Sequence, residues 1–218
     1  MSIQHQEPKS GSAPVRESGA QPSTPPSVAA PQEPGTVDHV ADGSAVGNGA
    51  RRVLAVLRLA IGFIFLWAFL DKTFGLGYAT TSSQAWISGG SPTRGFLIAT
   101  QVGPFESMSH SIAGVWWANW LFMLGLLAVG VAVMAGVALR ISAVAGTIML
   151  VMMWMVEFPL DRTLSSGGLS GSPNPIVDYH VIYALVLITL AATSAGLTWG
   201  LGRWWARLPY IRDHRWVR

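Results

Sequence analysis

The sequence predicts an all-α protein, a four-helix transmembrane bundle preceded by a disordered N-terminal tail, in a chain of 218 residues. Three observations carry this expectation. Charged residues make up only 11% of the chain, against about 25% in soluble globular proteins. That scarcity is regional: Arg58 is the sole charge in 53–70, and 115–139 carries none. The first stretch of the chain has the opposite character, rich in Pro, Gly, Ser, Ala and Gln with few large apolar side chains.

Residues 1–50 cannot bury enough apolar surface to offset the entropy of ordering them. Pro8, Pro14, Pro22, Pro25, Pro26, Pro31 and Pro34 also break any helix there. The segment reads as a cytoplasmic tail, and it lacks the apolar stretch of a secretory signal. The membrane domain follows over 51–210, and 211–218 forms a basic C-terminal tail.

The first helix is expected over 52–70, about 28 Å long and close to the thickness of a bilayer's hydrocarbon core. Its length, and the lack of a small-residue cleavage pattern, predict a retained anchor. The loop 71–113 is too long for a plain connector. Within it, Ser91 as N-cap and Pro92 at the first helical position predict a short helix into Gly95-Phe96-Leu97-Ile98. The second helix is expected over 115–139. The third follows Arg140 and runs to about Val156, with a tight turn at 138–142 joining the two as a hairpin. A Gly- and Ser-rich loop covers 157–174. Asn174 as N-cap and Pro175 at the next position then predict a fourth helix over 175–197. Small residues at four-residue steps allow close helix packing: Ala128, Ala132 and Gly136, then Ser142 and Gly146, then Ala192 and Gly196.

Lys and Arg set the expected orientation. Lys9, Arg16, Arg51, Arg52, Arg58, Arg140, Arg203, Arg207, Arg212, Arg215 and Arg218 fall on one side, and Lys72, Arg94 and Arg162 on the other. The expectation is a multi-pass protein of the plasma membrane, with both termini and the hairpin turn cytoplasmic and both long loops outside. Trp67, Trp116, Trp117, Trp120 and Trp154 then form an outer aromatic belt, and Trp199, Trp204 and Trp205 an inner one.

The sequence pI near 9.7 does not imply a nucleic-acid partner. The basic residues flank apolar runs, where they set topology and meet anionic lipid. The absence of cysteine excludes thiolate nucleophiles and cysteine-held iron–sulfur clusters. No Walker, Rossmann, zinc-protease or kinase motif is present. His110 and His180 are a single pair near two helix ends, and His110 lies in a polar stretch. The expectation is therefore neither haem nor metal.

Ionisable groups at membrane depth need a reason. Arg58, about two turns inside the first helix, either snorkels to the interface or binds an anionic or quinone oxygen. Asp71, Lys72, Arg94, Glu106, Glu157, Asp161, Arg162, Asp178 and His180 are expected to converge at one outer mouth, a setting suited to a polar head group. Asp178 and His180 are the catalytic candidates, for proton transfer. Asp71, Lys72, Arg94, Glu106, Trp86 and Arg58 are the substrate- or quinone-binding candidates. Two residues apart on an ideal helix, Asp178 and His180 point to nearly opposite sides, so each is expected to need a partner from another helix.

The runs Asp71-Lys72-Thr73-Phe74-Gly75-Leu76-Gly77-Tyr78, Gly89-Gly90-Ser91-Pro92-Thr93 with Gly95-Phe96-Leu97, Gly103-Pro104-Phe105, and Asn174-Pro175 with Asp178 and His180 resemble those of the actinobacterial DoxX/DoxD-like membrane family. The resemblance covers about 52–210. It implies a four-helix membrane bundle and a place in membrane redox chemistry, since the family's namesakes are subunits of a thiosulfate:quinone oxidoreductase. A quinone is the implied acceptor, an anionic donor such as thiosulfate would meet Lys72 or Arg94, and other redox subunits or further copies are implied partners in the bilayer. The resemblance carries no catalytic residue set. Two further readings stand beside the redox one: a non-catalytic accessory or assembly subunit, and a small transporter, which the scarcity of midplane charge argues against.

Overall fold

The computed structural model describes residues 47–214. The expected tail over 1–46 and the last four residues lie outside the described residues. Eight helices form among them: α1 (Asn48–Phe74), α2 (Arg94–Ile98), α3 (Glu106–Ile112), α4 (Trp116–Ala135), α5 (Leu139–Glu157), α6 (Tyr179–Ala192), α7 (Gly202–Trp205) and α8 (Pro209–Asp213). No strand forms there, and one isolated antiparallel bridge pairs Thr163 with Leu169. The fold is all-α, as the sequence predicts.

Three helices, α1, α4 and α5, are long and apolar enough to cross a membrane. The fourth, α6, is apolar but has 14 residues, about 21 Å against a hydrocarbon core of about 30 Å. The helix expected over 175–197 is therefore shorter at both ends. Asn174 does not cap it. Its side-chain oxygen accepts from the Ile176 and Val177 backbone N–H groups at 2.9 and 3.0 Å, which closes a turn before the helix. The true N-cap is Asp178, whose extended backbone turns its carboxylate onto the Val181 N–H at 3.1 Å. At the other end Ser194 takes a left-handed conformation, and a 3₁₀ turn, Ala195–Leu197, replaces the last predicted turn.

The remaining boundaries follow from local chemistry. α1 begins at Asn48, so 48–50 belong to the helix rather than to the tail. It ends where Gly75 takes φ 65° and donates its N–H to the Asp71 carbonyl. α4 closes on Gly136 at φ 74°, with the Val137 N–H returning to the Ala132 carbonyl at 3.0 Å. Pro159, one residue past the left-handed Phe158, cannot continue α5. In the first long loop the short helix starts at Arg94 with Thr93 at its cap position, slightly later than Ser91-Pro92 suggested.

The four long helices close a ring: α1 packs on α4, α4 on α5, α5 on α6, and α6 touches α1. Ile61 and Phe65 meet Met123, Leu126, Val129 and Val133, with Leu150, Leu187 and Leu190 completing the core. α1 and α4 cross closely at Gly130, where a Cβ would stand 2.7 Å from the Leu66 backbone nitrogen. Gly146 does lie in an interface, against Leu187. Ala128 and Ala192 are exposed, so those members of the small-residue stripes face away from the core. Only 28%, 39% and 33% of the best spans of α1, α4 and α5 are buried. The outward apolar side chains, Phe63, Leu121, Val144 and Leu185 among them, present a surface suited to a lipid solvent and costly in water.

Candidate functional site

The end of the bundle where α1 and α5 finish and α6 starts holds most of the predicted site residues. The structure divides them into separate groups instead of one mouth. Asp71 is 2% exposed, and its carboxylate accepts from the Tyr78 and Ala79 N–H groups at 3.3 and 2.9 Å. It holds the start of the first long loop over the end of α1. Lys72 is half-buried and Arg94 exposed. Trp86 packs edge-on against Trp120 at 4.7 Å and lies against the core. Glu106, at the start of α3, accepts from Ser165 at 3.3 Å, and Asp161 accepts from the Gly103 N–H at 3.0 Å. These bonds stitch the two long loops together. His110 is committed there too, its Nε2 against the Thr100 carbonyl at 2.9 Å.

Asn119 is a residue that sequence reasoning missed. It is buried in the first turn of α4. Its Oδ1 accepts from Ser91 Oγ at 3.0 Å, Thr93 N–H at 3.1 Å and Thr93 Oγ1 at 2.7 Å, fastening the first loop to the bundle. A lone amide in an otherwise apolar, tryptophan-rich run was the signal available.

Arg58 lies some 20 Å along α1 from Asp71 and belongs to the opposite end. Fully buried, its guanidinium donates to the Val133 carbonyl at 2.8 Å, the Met134 carbonyl and the Trp199 carbonyl at 2.9 Å. It does not snorkel, and its protein partners are backbone oxygens. It joins the end of α4 to the segment after α6, where Gly136 leaves the room a Cβ would take from the guanidinium.

The remaining group is chemically different. His180, 1% exposed, places Nδ1 2.8 Å from Asp178 Oδ2 and 3.8 Å from Glu157 Oε2. The expectation that Asp178 and His180 point apart is therefore corrected. It assumed both lie on an ideal helix, whereas Asp178 is the extended N-cap. One carboxylate oxygen caps Val181 while the other reaches the second residue of the helix. The carboxylate acceptor makes Nδ1 the protonated nitrogen. Nε2 is buried with no hydrogen-bond partner, which calls for an explanation in a core position. Glu157, the last residue of α5, accepts from the Tyr179 hydroxyl at 2.8 Å. From the sequence, Glu157 is expected at the outer mouth without a catalytic or binding role, and Tyr179 is not singled out.

Glu157, Asp178 and Tyr179 line a cavity of about 490 Å³, with Thr100, Gln101 and Val156 among its other walls. Asp71, Lys72, Arg94, Glu106, Trp86 and Arg58 do not line it, and His180 stands behind Asp178 rather than in the wall. The arrangement suits proton transfer: an imidazole oriented by one carboxylate, with a second carboxylate near enough to stabilise imidazolium. One ligand atom each from Glu157, Asp178 and His180 also lie within 4.8 Å of one another, a donor set able to hold a divalent cation, which the sequence expectation did not include. No family model, curated protein or solved structure matches the chain.

Proposed function

We propose that this chain is a membrane redox component that exchanges electrons with the quinone pool, its proton chemistry carried out by Asp178 and His180. The reading starts from the DoxX/DoxD-like sequence features. The observation that supports it most is the Asp178–His180 pair beside a cavity at the end of an apolar bundle. Reduction of a quinone takes up electrons and an equal number of protons. A quinone ring in the cavity would keep its isoprenoid tail in lipid. As imidazolium, His180 would pass a proton from Nδ1 through the cavity-lining Asp178 to the ring oxygen and regain one from solvent by way of Glu157, the more exposed carboxylate of the group. The electrons come from an anionic donor such as thiosulfate, directly or through another subunit. Lys72 and Arg94 remain the candidate donor contacts, on surfaces outside the cavity.

In the same reading the protein sits in the plasma membrane with both termini cytoplasmic, following the positive-inside bias. Because the chain has no cysteine, single cysteines placed at Ser166 and at Arg207 report the orientation directly. Labelling of intact cells at Ser166→Cys alone is the expected result, and labelling at Arg207→Cys alone would reverse it.

The test of function is reduction of a short-chain quinone by purified protein with thiosulfate as donor. His180→Ala is expected to lower turnover by about a hundredfold or more. A folded wild type that neither binds the quinone nor turns over contradicts the proposal and favours an accessory subunit. That second reading has its own support, because Asp71, Asn119, Glu106 and Asp161 all hold loops in place, and the mostly exposed spans offer faces to other subunits.

A further inference from the structure

The larger cavity, about 790 Å³, is at the opposite end of the bundle. The N-terminus of α1 supplies Asn48, Arg51 and Arg52, the end of α4 supplies Met134 and Ala135, and the segment after α6 supplies Leu197–Leu201 with Arg203. No acidic residue lines it. Among the described residues no carboxylate pairs with Arg51, Arg52 or Arg203. α1 also begins without a side-chain cap, so the positive end of its dipole and its first N–H groups face the same region. Three guanidinium groups, a helix N-terminus and no counter-charge call for an anion.

The cavity is built into the fold. Its wall at Trp199 holds a left-handed conformation, φ 52°, which costs energy for a bulky residue. The buried Arg58 fixes that conformation by donating to the Trp199 carbonyl. The Leu201 N–H bonds the Ala135 carbonyl at 2.8 Å and ties the next part of the wall to α4. The volume lies within the roughly 300–1,000 Å³ of small-molecule sites. Apolar spans end here, so the cavity stands at head-group depth, with the exposed indole of Trp199 suited to the interface.

We propose that this cavity binds the phosphate-bearing head group of an anionic phospholipid, with Arg51, Arg52 and Arg203 as its anion contacts. The site is independent of the redox reading, and either can fail without the other.

The test is native mass spectrometry of the full chain in detergent, titrated with phosphatidylglycerol or phosphatidylcholine. Arg203 and Arg207 form a matched pair, since only Arg203 lines the cavity. Arg203→Gln is expected to weaken phosphatidylglycerol binding about fivefold, and the triple Arg51→Gln, Arg52→Gln, Arg203→Gln variant about a hundredfold. Arg207→Gln should leave it unchanged, and phosphatidylcholine binding should be the same in all. Equal losses for Arg203→Gln and Arg207→Gln would overturn the site in favour of diffuse surface charge. Competition by inorganic phosphate or glycerol phosphate as strong as that of the lipid would overturn the lipid assignment and leave a free-anion site. The matched single variants, at exposed positions, carry the test if the triple variant fails to fold.

Discussion

The two ends of this bundle use buried charge in opposite ways. At the arginine end Arg58 is enclosed by carbonyl oxygens that all come from the protein backbone, so its charge serves the fold. At the carboxylate end His180 is just as buried, but its Nδ1 meets the carboxylates of Asp178 and Glu157, which line a cavity. Each keeps one buried nitrogen without a hydrogen-bond partner, Nε of Arg58 and Nε2 of His180, so the difference lies in what the remaining nitrogens meet. A buried cation held by backbone carbonyls is an architectural element, and a buried imidazole coupled to cavity-lining carboxylates is a candidate for chemistry. The contrast separates two residues that look alike in the sequence, each a lone ionisable group in or beside an apolar run.

The largest effect expected from breaking this contrast is on stability at the arginine end. Arg58→Met removes three charged donors and leaves the Val133, Met134 and Trp199 carbonyls without them. A loss of about 3–5 kcal/mol is expected. Thermal unfolding in detergent should show it as a large drop in Tm, while quinone binding by the protein that remains folded should persist. Loss of quinone binding with Tm unchanged would place Arg58 in a ligand site instead.

A smaller effect belongs to the loop clamp. Asn119→Leu strands the Thr93 hydroxyl and N–H and should cost about 2 kcal/mol. Limited proteolysis should then cut faster within 79–104, with α5 and α6 unaffected. Unchanged cleavage would mean that Trp86 and the rest of the loop's packing hold it without the amide.

The smallest stability effect, and the most informative, is at Asp178. Asp178→Ala removes the cap of α6 and is expected to cost about 1 kcal/mol, whereas Asp178→Asn keeps a good N-cap and should cost only a few tenths. Both should lose turnover alike, because neither retains the carboxylate that orients His180. Activity retained in Asp178→Asn would reduce Asp178 to a cap.

The helical class and the three long apolar helices were legible because hydropathy is a local property that runs along the chain. The fourth helix was misplaced because Asn174-Pro175 is a good start signal in isolation. The competing turn through Ile176 and Val177 and the capping carboxylate of Asp178 decided otherwise. The Asp178–His180 contact was missed for the same reason, since helical geometry was applied to a residue that precedes the helix. The partners of Arg58 come from α4 and from the segment beyond α6, and nothing local announces them. The expected single mouth of charges failed because carboxylates at helix ends find backbone N–H groups first, as Asp71 and Asp161 do.

The most direct test of the difference between the ends is photoaffinity labelling with an azido-quinone, followed by peptide mapping. The arginine end has the larger cavity, so size alone predicts labelling there. If the Asp178–His180 pair marks the quinone site, label falls on 96–102, 156–159 and 179–183 and is competed by unmodified quinone. Label confined to 134–135 and 197–201 would contradict that assignment and move the quinone site to the arginine end.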